Sequence, residues 1–96
     1  MINGNASEFI DELTYQDHYV NYQGQKYFFN GCQCETNSNG DISSVTLEVY
    51  NLTTDTTVFT TTQQSIAKCI EVFENSKFFN GKSFWEVEKD MEWVDF

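Results

Sequence analysis

Apolar positions along the chain change period twice. Near the start, Ala6, Phe9, Ile10 and Leu13 recur at helical spacing while Asp11 and Glu12 point away. Asn5 and Glu8 stand at capping-box spacing, so a helix of about two turns is expected, too short to persist alone. From His18 the texture becomes that of strands. Tyr19-Val20-Asn21-Tyr22 and Lys26-Tyr27-Phe28-Phe29 flank Gln23-Gly24-Gln25, a hairpin turn by composition. The second strand continues through Cys32-Gln33-Cys34, with Gly31 placed for a bulge. Asn37-Ser38-Asn39-Gly40-Asp41 turns the chain. Val45, Leu47 and Val49 then alternate with Thr46, Glu48 and Tyr50 in the clearest strand, and Thr57-Val58-Phe59-Thr60-Thr61 reads as a fourth. Abundant threonine and no proline suit an antiparallel sheet with one wet face.

After Gln63 the period is helical again. Ser65 is the expected cap, and Ile66, Cys69, Ile70 and Phe73 share a face. Asn75-Ser76 and Asn80-Gly81 are breaks, after which Ser83 and Glu86 have capping-box spacing. Phe84, Val87, Met91 and Val94 continue as a helical stripe, with Glu86 and Asp90 expected to be exposed. A competing pattern overlies it: Glu86, Glu88, Asp90 and Glu92 alternate with Val87, Lys89, Met91 and Trp93, as in a strand. The capping box and the stripe favour helix. On that helix Glu88, Glu92 and Asp95 would line one flank, and Glu86 and Asp90 the other beside Trp93, with Trp85 off the core stripe. The expectation is an α+β domain over residues 1–96: a short N-terminal helix, a four-stranded antiparallel sheet, and two C-terminal helices on one face. Its core would be Phe9, Ile10, Leu13, Val45, Leu47, Val49, Ile66, Ile70, Phe73, Phe84, Val87 and Met91.

Charge narrows the function. Fifteen acids oppose five bases, all lysine, for a net charge of −10. Direct binding of nucleic acid or of an anionic membrane is disfavoured, because both need clustered cations. A basic protein surface is favoured, since opposite charge steers encounter, although charge also serves plain solubility. No apolar run is long enough to span a membrane, and the first residues lack the basic and apolar regions of an export signal, so a cytoplasmic location is expected. Cys32, Cys34 and Cys69 are then expected as free thiols. Cys32 and Cys34 share a strand face, and with Cys69 and His18 they make a set of soft metal ligands, but the knuckle spacing of a zinc site is missing and no metal or other cofactor is expected. His18, beside Asp17, reads as a solvated residue at a strand start. No nucleophile elbow or phosphate loop is present, so the expectation is binding without catalysis.

Residues 82–96 concentrate the remaining chemistry, with two tryptophans and five carboxylates against two lysines. Trp85, Glu86, Glu88, Asp90, Glu92, Trp93 and Asp95 are therefore the candidate partner-binding residues, rims of charge around aromatic anchors. The order helix, meander, helix, helix resembles small phage-encoded inhibitors of bacterial defence, the nearest likeness being type II anti-CRISPR proteins that mimic DNA. Ser65-Ile66-x-x-Cys69-Ile70-x-x-Phe73, then Phe84-Trp85-Glu86 and Lys89-Asp90-Met91, carry that resemblance in texture, over most of the chain. Gly81-Lys82-Ser83-Phe84-Trp85-Glu86-Val87-Glu88 and Glu92-Trp93-Val94-Asp95 also look like short acidic proteins of low-GC Gram-positive bacteria and their prophages. The resemblance implies an inhibitor that presents carboxylates where a host nucleic-acid-binding protein expects phosphates. The rival is a structural or regulatory phage subunit that self-associates through its sheet or tryptophans, its charge serving solubility. A small metalloprotein built on the cysteines is the third.

Overall fold

The computed structural model describes residues 5–94. Helix α1 (Ala6–Leu13) leads into a meander of β1 (His18–Tyr22), β2 (Gln25–Thr36), β3 (Ile42–Asn51) and β4 (Thr56–Gln63). Helix α2 (Ile66–Asn75) and the single turn α3 (Phe84–Val87) follow, then a 3-10 turn (Glu88–Asp90) and a last strand, β5 (Glu92–Val94). The sheet is antiparallel with strand order β4-β3-β2-β1-β5. The fold is α+β, as the alternating and helical periods implied.

Local chemistry fixes the turns. Gln23 and Gly24 have φ of 52° and 74°, the left-handed pair that a two-residue hairpin loop needs to match strand twist. Asn80 and Gly81 repeat the device at 54° and 83°, closing a small loop in which Phe79 and Lys82 exchange backbone bonds of 3.1 and 3.0 Å. The turn after β3 is held by one buried side chain: Asn51 accepts from the N–H of Thr53 (2.9 Å) and of Thr54 (3.1 Å) and donates to Gln25 (2.7 Å). Ser65 caps α2 as expected, its Oγ accepting from the N–H of Lys68 at 3.1 Å. Asn5, by contrast, makes no side-chain cap on α1, which is held instead by its buried face of Ala6, Phe9, Ile10 and Leu13.

A register shift lies between Asn30 and Gln33, so the bulge falls at Gly31 and Cys32. Glycine is required there for space. A Cβ on Gly31 would stand 2.5 Å from the carbonyl oxygen of Gln16, and the Gly31 N–H donates to Asp17 Oδ1 at 2.7 Å. The loop leaving α1 is thereby pinned to the middle of β2.

The helices cover one face of the sheet. Val20, Phe29, Val45, Leu47 and Val49 point from the strands toward Phe9, Leu13, Phe73 and Phe84, all fully buried. Phe9 is the hub, edge-on to Phe29 at 5.2 Å and stacked on Phe84 at 5.4 Å. Burying each such ring contributes roughly 1.5–3 kcal/mol. Ten of the twelve expected core residues are buried together, Phe84, Val87 and Met91 among them, whereas Ile66 and Ile70 are only half-buried against the core.

The C-terminal segment differs from the expected long helix. The capping-box pair holds, the Ser83 N–H donating to Glu86 Oε1 at 3.1 Å, but the helix ends after one turn. The chain then extends, and Glu92, Trp93 and Val94 pair with Asn21, Val20 and Tyr19 as a fifth strand. The cause is tertiary: β1 offers an open edge, and strand alternation places Trp93 inward over Phe9 and Glu92 outward. Val94 is accordingly half-buried on the helix-free face.

Candidate protein-binding surface

The two tryptophans proposed as anchors occupy different environments. Trp85, on α3, is 44% exposed. Its indole N–H donates to Glu74 Oε2 of α2 at 2.8 Å, and its ring meets Phe84 edge-on at 5.6 Å. The side chain thus stands on the surface in a fixed pose. Trp93, on β5, is half-buried and packs against the core, edge-on to Phe9 at 5.2 Å and to His18 at 4.8 Å. Its indole N–H donates to Nδ1 of His18 at 3.2 Å. That bond assigns the acceptor nitrogen and makes His18 part of the interior, at 5% exposure, where the sequence suggested a solvated residue.

The acids divide as well. Glu86 is exposed on α3, and its carboxyl is held below the ordinary value of 4.5 by its hydrogen bonds to Ser83, with Lys77 and Lys82 adding a smaller attraction. Glu88 is half-buried and turns one carboxylate oxygen inward, without a hydrogen-bond partner among the described residues. Asp90 is exposed on the 3-10 turn near Tyr22, whose hydroxyl is pushed up first by burial and then by that carboxylate. Glu92 is exposed on the sheet face opposite the helices. Asp95 lies outside the described residues. The expected flank of Glu88, Glu92 and Asp95 on one helix therefore does not exist, because residues 92–94 are strand. The fold instead distributes these acids: Glu86, near Lys77 and Lys82, and Asp90 are exposed on the helical turns, and Glu92 on the other face of the sheet at β5.

The cysteines are free thiols. Cys69 is buried in α2 and its Sγ–H donates to the Val45 carbonyl at 3.1 Å, while Cys34 pairs with Val45 in the sheet, so α2 brings its thiol over the face that Cys32 and Cys34 share. The Cys32 thiol is pushed up to about 11 by burial, with Cys69 and Cys34 adding to the effect. A thiol held protonated is a poor nucleophile and a poor ligand at neutral pH. Among the described residues no group of three or more His, Cys, Asp or Glu is placed to hold a metal ion. A shallow, open depression of about 580 Å³ lies between the start of β3, the end of β4 and the start of α2, lined by Ser43, Ser44, Thr62, Gln63, Gln64, Ser65 and Lys68. It offers hydroxyls and amides, and its one cation is paired with Glu71 at 3.4 Å.

Two contacts had no local signal in the sequence. Glu74 reaches Trp85 across two breaks in the chain, and His18 reaches Trp93 from the opposite end of it. No helix among the described residues is long and apolar enough to cross a membrane. No protein-family model matches the chain, and neither does any curated protein or solved structure.

Proposed function

We propose that the protein acts by binding, without catalysis, to a basic protein surface, and that it inhibits a host nucleic-acid-binding defence protein as an acidic mimic of nucleic acid. The reading is supported above all by Trp85. An exposed indole fixed by Glu74 has little rotamer freedom left to lose on docking, which is the property that makes an aromatic anchor effective. Glu86 beside Trp85 on α3, Asp90 on the 3-10 turn and Glu92 on β5 are exposed and would supply attraction, in a chain of net charge −10. Trp93 leaves the list of anchors, since its contacts are internal, and Glu88 is a lesser contributor because it is half-buried.

The test is retention of host proteins from a bacterial lysate on immobilised wild type, Trp85→Ala and a Glu86→Lys/Asp90→Lys/Glu92→Lys triple variant, across a salt series. The expected result is a retained nucleic-acid-binding protein, released by rising salt or by competing DNA, held less well by both variants. Equal retention on all three proteins, or no effect of DNA, would overturn the mimic.

A further inference from the structure

We propose that the outer edge of β4 is a self-pairing surface, through which two copies of this chain join about a two-fold axis into one continuous antiparallel sheet. The two edges of the sheet are unequal. The β1 side is covered by β5, whereas β4 ends the sheet with eight residues, Thr56–Gln63, whose outward backbone groups meet no described strand. Edge strands of folded proteins are ordinarily shielded by lysine, proline or inward charges. This one has none: Thr56–Gln63 holds no charged residue and no proline, in a chain where acids are otherwise dense. Its single irregularity is a shift beside Thr57, which leaves Phe59 to Gln63 in regular register against β3.

The core is also thinnest there. Of the seven half-buried hydrophobic residues that pack against it, Val58 and Phe59 lie on β4, Ile66 and Ile70 on α2, and Phe78 just beyond, stacked on Phe59 at 4.7 Å. Helix α2 packs on β4 and β3, so strand edge and half-open apolar residues belong to the same end of the molecule.

The chemistry selects a second copy as the occupant. β4 carries no charge of its own, Glu48 standing across from Thr60 on β3, so a neutral strand with apolar groups beside it matches this edge. This edge meets both requirements and offers the same to its own image, which is the condition for a closed two-fold interface. With the axis at Thr61, Thr60 faces Thr62 of the other copy on the helix-free side and Phe59 faces Gln63 on the helix side. The hydroxyls of Thr46 and Thr62 already lie 2.9 Å apart, and this register extends that row across the junction. The pairing does not rest on the mimic reading, because it uses only the backbone edge of β4 and none of Trp85, Glu86, Asp90 or Glu92.

The salt dependence separates the two ideas. Two chains of −10 repel, so self-pairing should strengthen as salt rises, while docking on a basic partner should weaken. Sedimentation equilibrium of the wild type over a salt series is expected to show a monomer–dimer equilibrium that shifts toward dimer with salt. A Thr60→Lys/Thr62→Lys variant lowers the overall repulsion yet sets like charges directly opposite each other, and should weaken dimerisation roughly tenfold or more. Hydrogen exchange of wild-type β4 amides should slow as protein concentration rises, a readout that needs no variant. A monomer at all salt and protein concentrations, a dimer indifferent to the double substitution, or one without added protection at β4 would overturn the proposal.

Discussion

Trp85 and Trp93 lie on one short acidic segment, and their surroundings could hardly differ more. Trp85 rests on the surface with its N–H on Glu74, whereas Trp93 closes the core over Phe9 with its N–H on His18. The difference follows from what each helps to hold. Trp85 stands on a helical turn whose core side is already filled by Phe84 and Val87, so its ring has nowhere to go but outward. Trp93 stands on a strand recruited by the open edge of β1, and strand alternation turns it inward. An aromatic ring beside acids is thus an anchor or a lid according to the element that carries it.

Removing each ring should separate the two roles. Trp93→Ala should have the largest effect, a loss of about 3 kcal/mol in unfolding free energy, because a large ring leaves a cavity against Phe9 and His18. Urea unfolding measures it, and a loss no larger than that of Trp85→Ala would erase the distinction. Trp85→Ala should change stability by less than about 1 kcal/mol, as exposed substitutions do, yet speed dissociation from the bound partner. Surface plasmon resonance with the captured protein reads that rate directly.

Two smaller effects sharpen the contrast. Glu74→Ala should leave the fold intact but free the Trp85 indole, seen as lower fluorescence anisotropy in a Trp93→Phe background and a slower on-rate for the partner. Acid should also act on α3. The Glu86 carboxyl sits below its ordinary value of 4.5 when folded, so its contribution is complete above that pH and is lost as pH falls through the folded value. Emission from Trp85 should therefore shift in that acid range while β5 stays paired, and Glu86→Gln should remove the step. A single transition shared by both tryptophans would show that the cap and the strand are one unit.

The meander was legible because its residues alternate and Gly24 and Gly40 mark two of its turns with left-handed backbone, and α2 because Ser65 and its apolar spacing agree. The stretch after Val87 was not, for a physical reason. Both a helical stripe and a strand alternation are written there, and the choice belongs to β1, which lies far away in the chain. The same distance hid His18 as the partner of Trp93 and Glu74 as the partner of Trp85. Ile66 and Ile70 show the converse limit: periodicity places a residue on the inner face of a helix, but only the width of the sheet beneath decides how far it is covered.

The pairing of β5 with β1 also sets an order of events during synthesis. Strand β1 leaves the ribosome early and β5 late, so the outer edge of β1 and one side of Phe9 stay uncovered while the whole meander and α2 are being made. Until residues 92–94 emerge, the nascent chain carries an open strand edge at each end of its sheet. A chaperone that recognises extended apolar segments would find its window there, and that window closes when Trp93 seats.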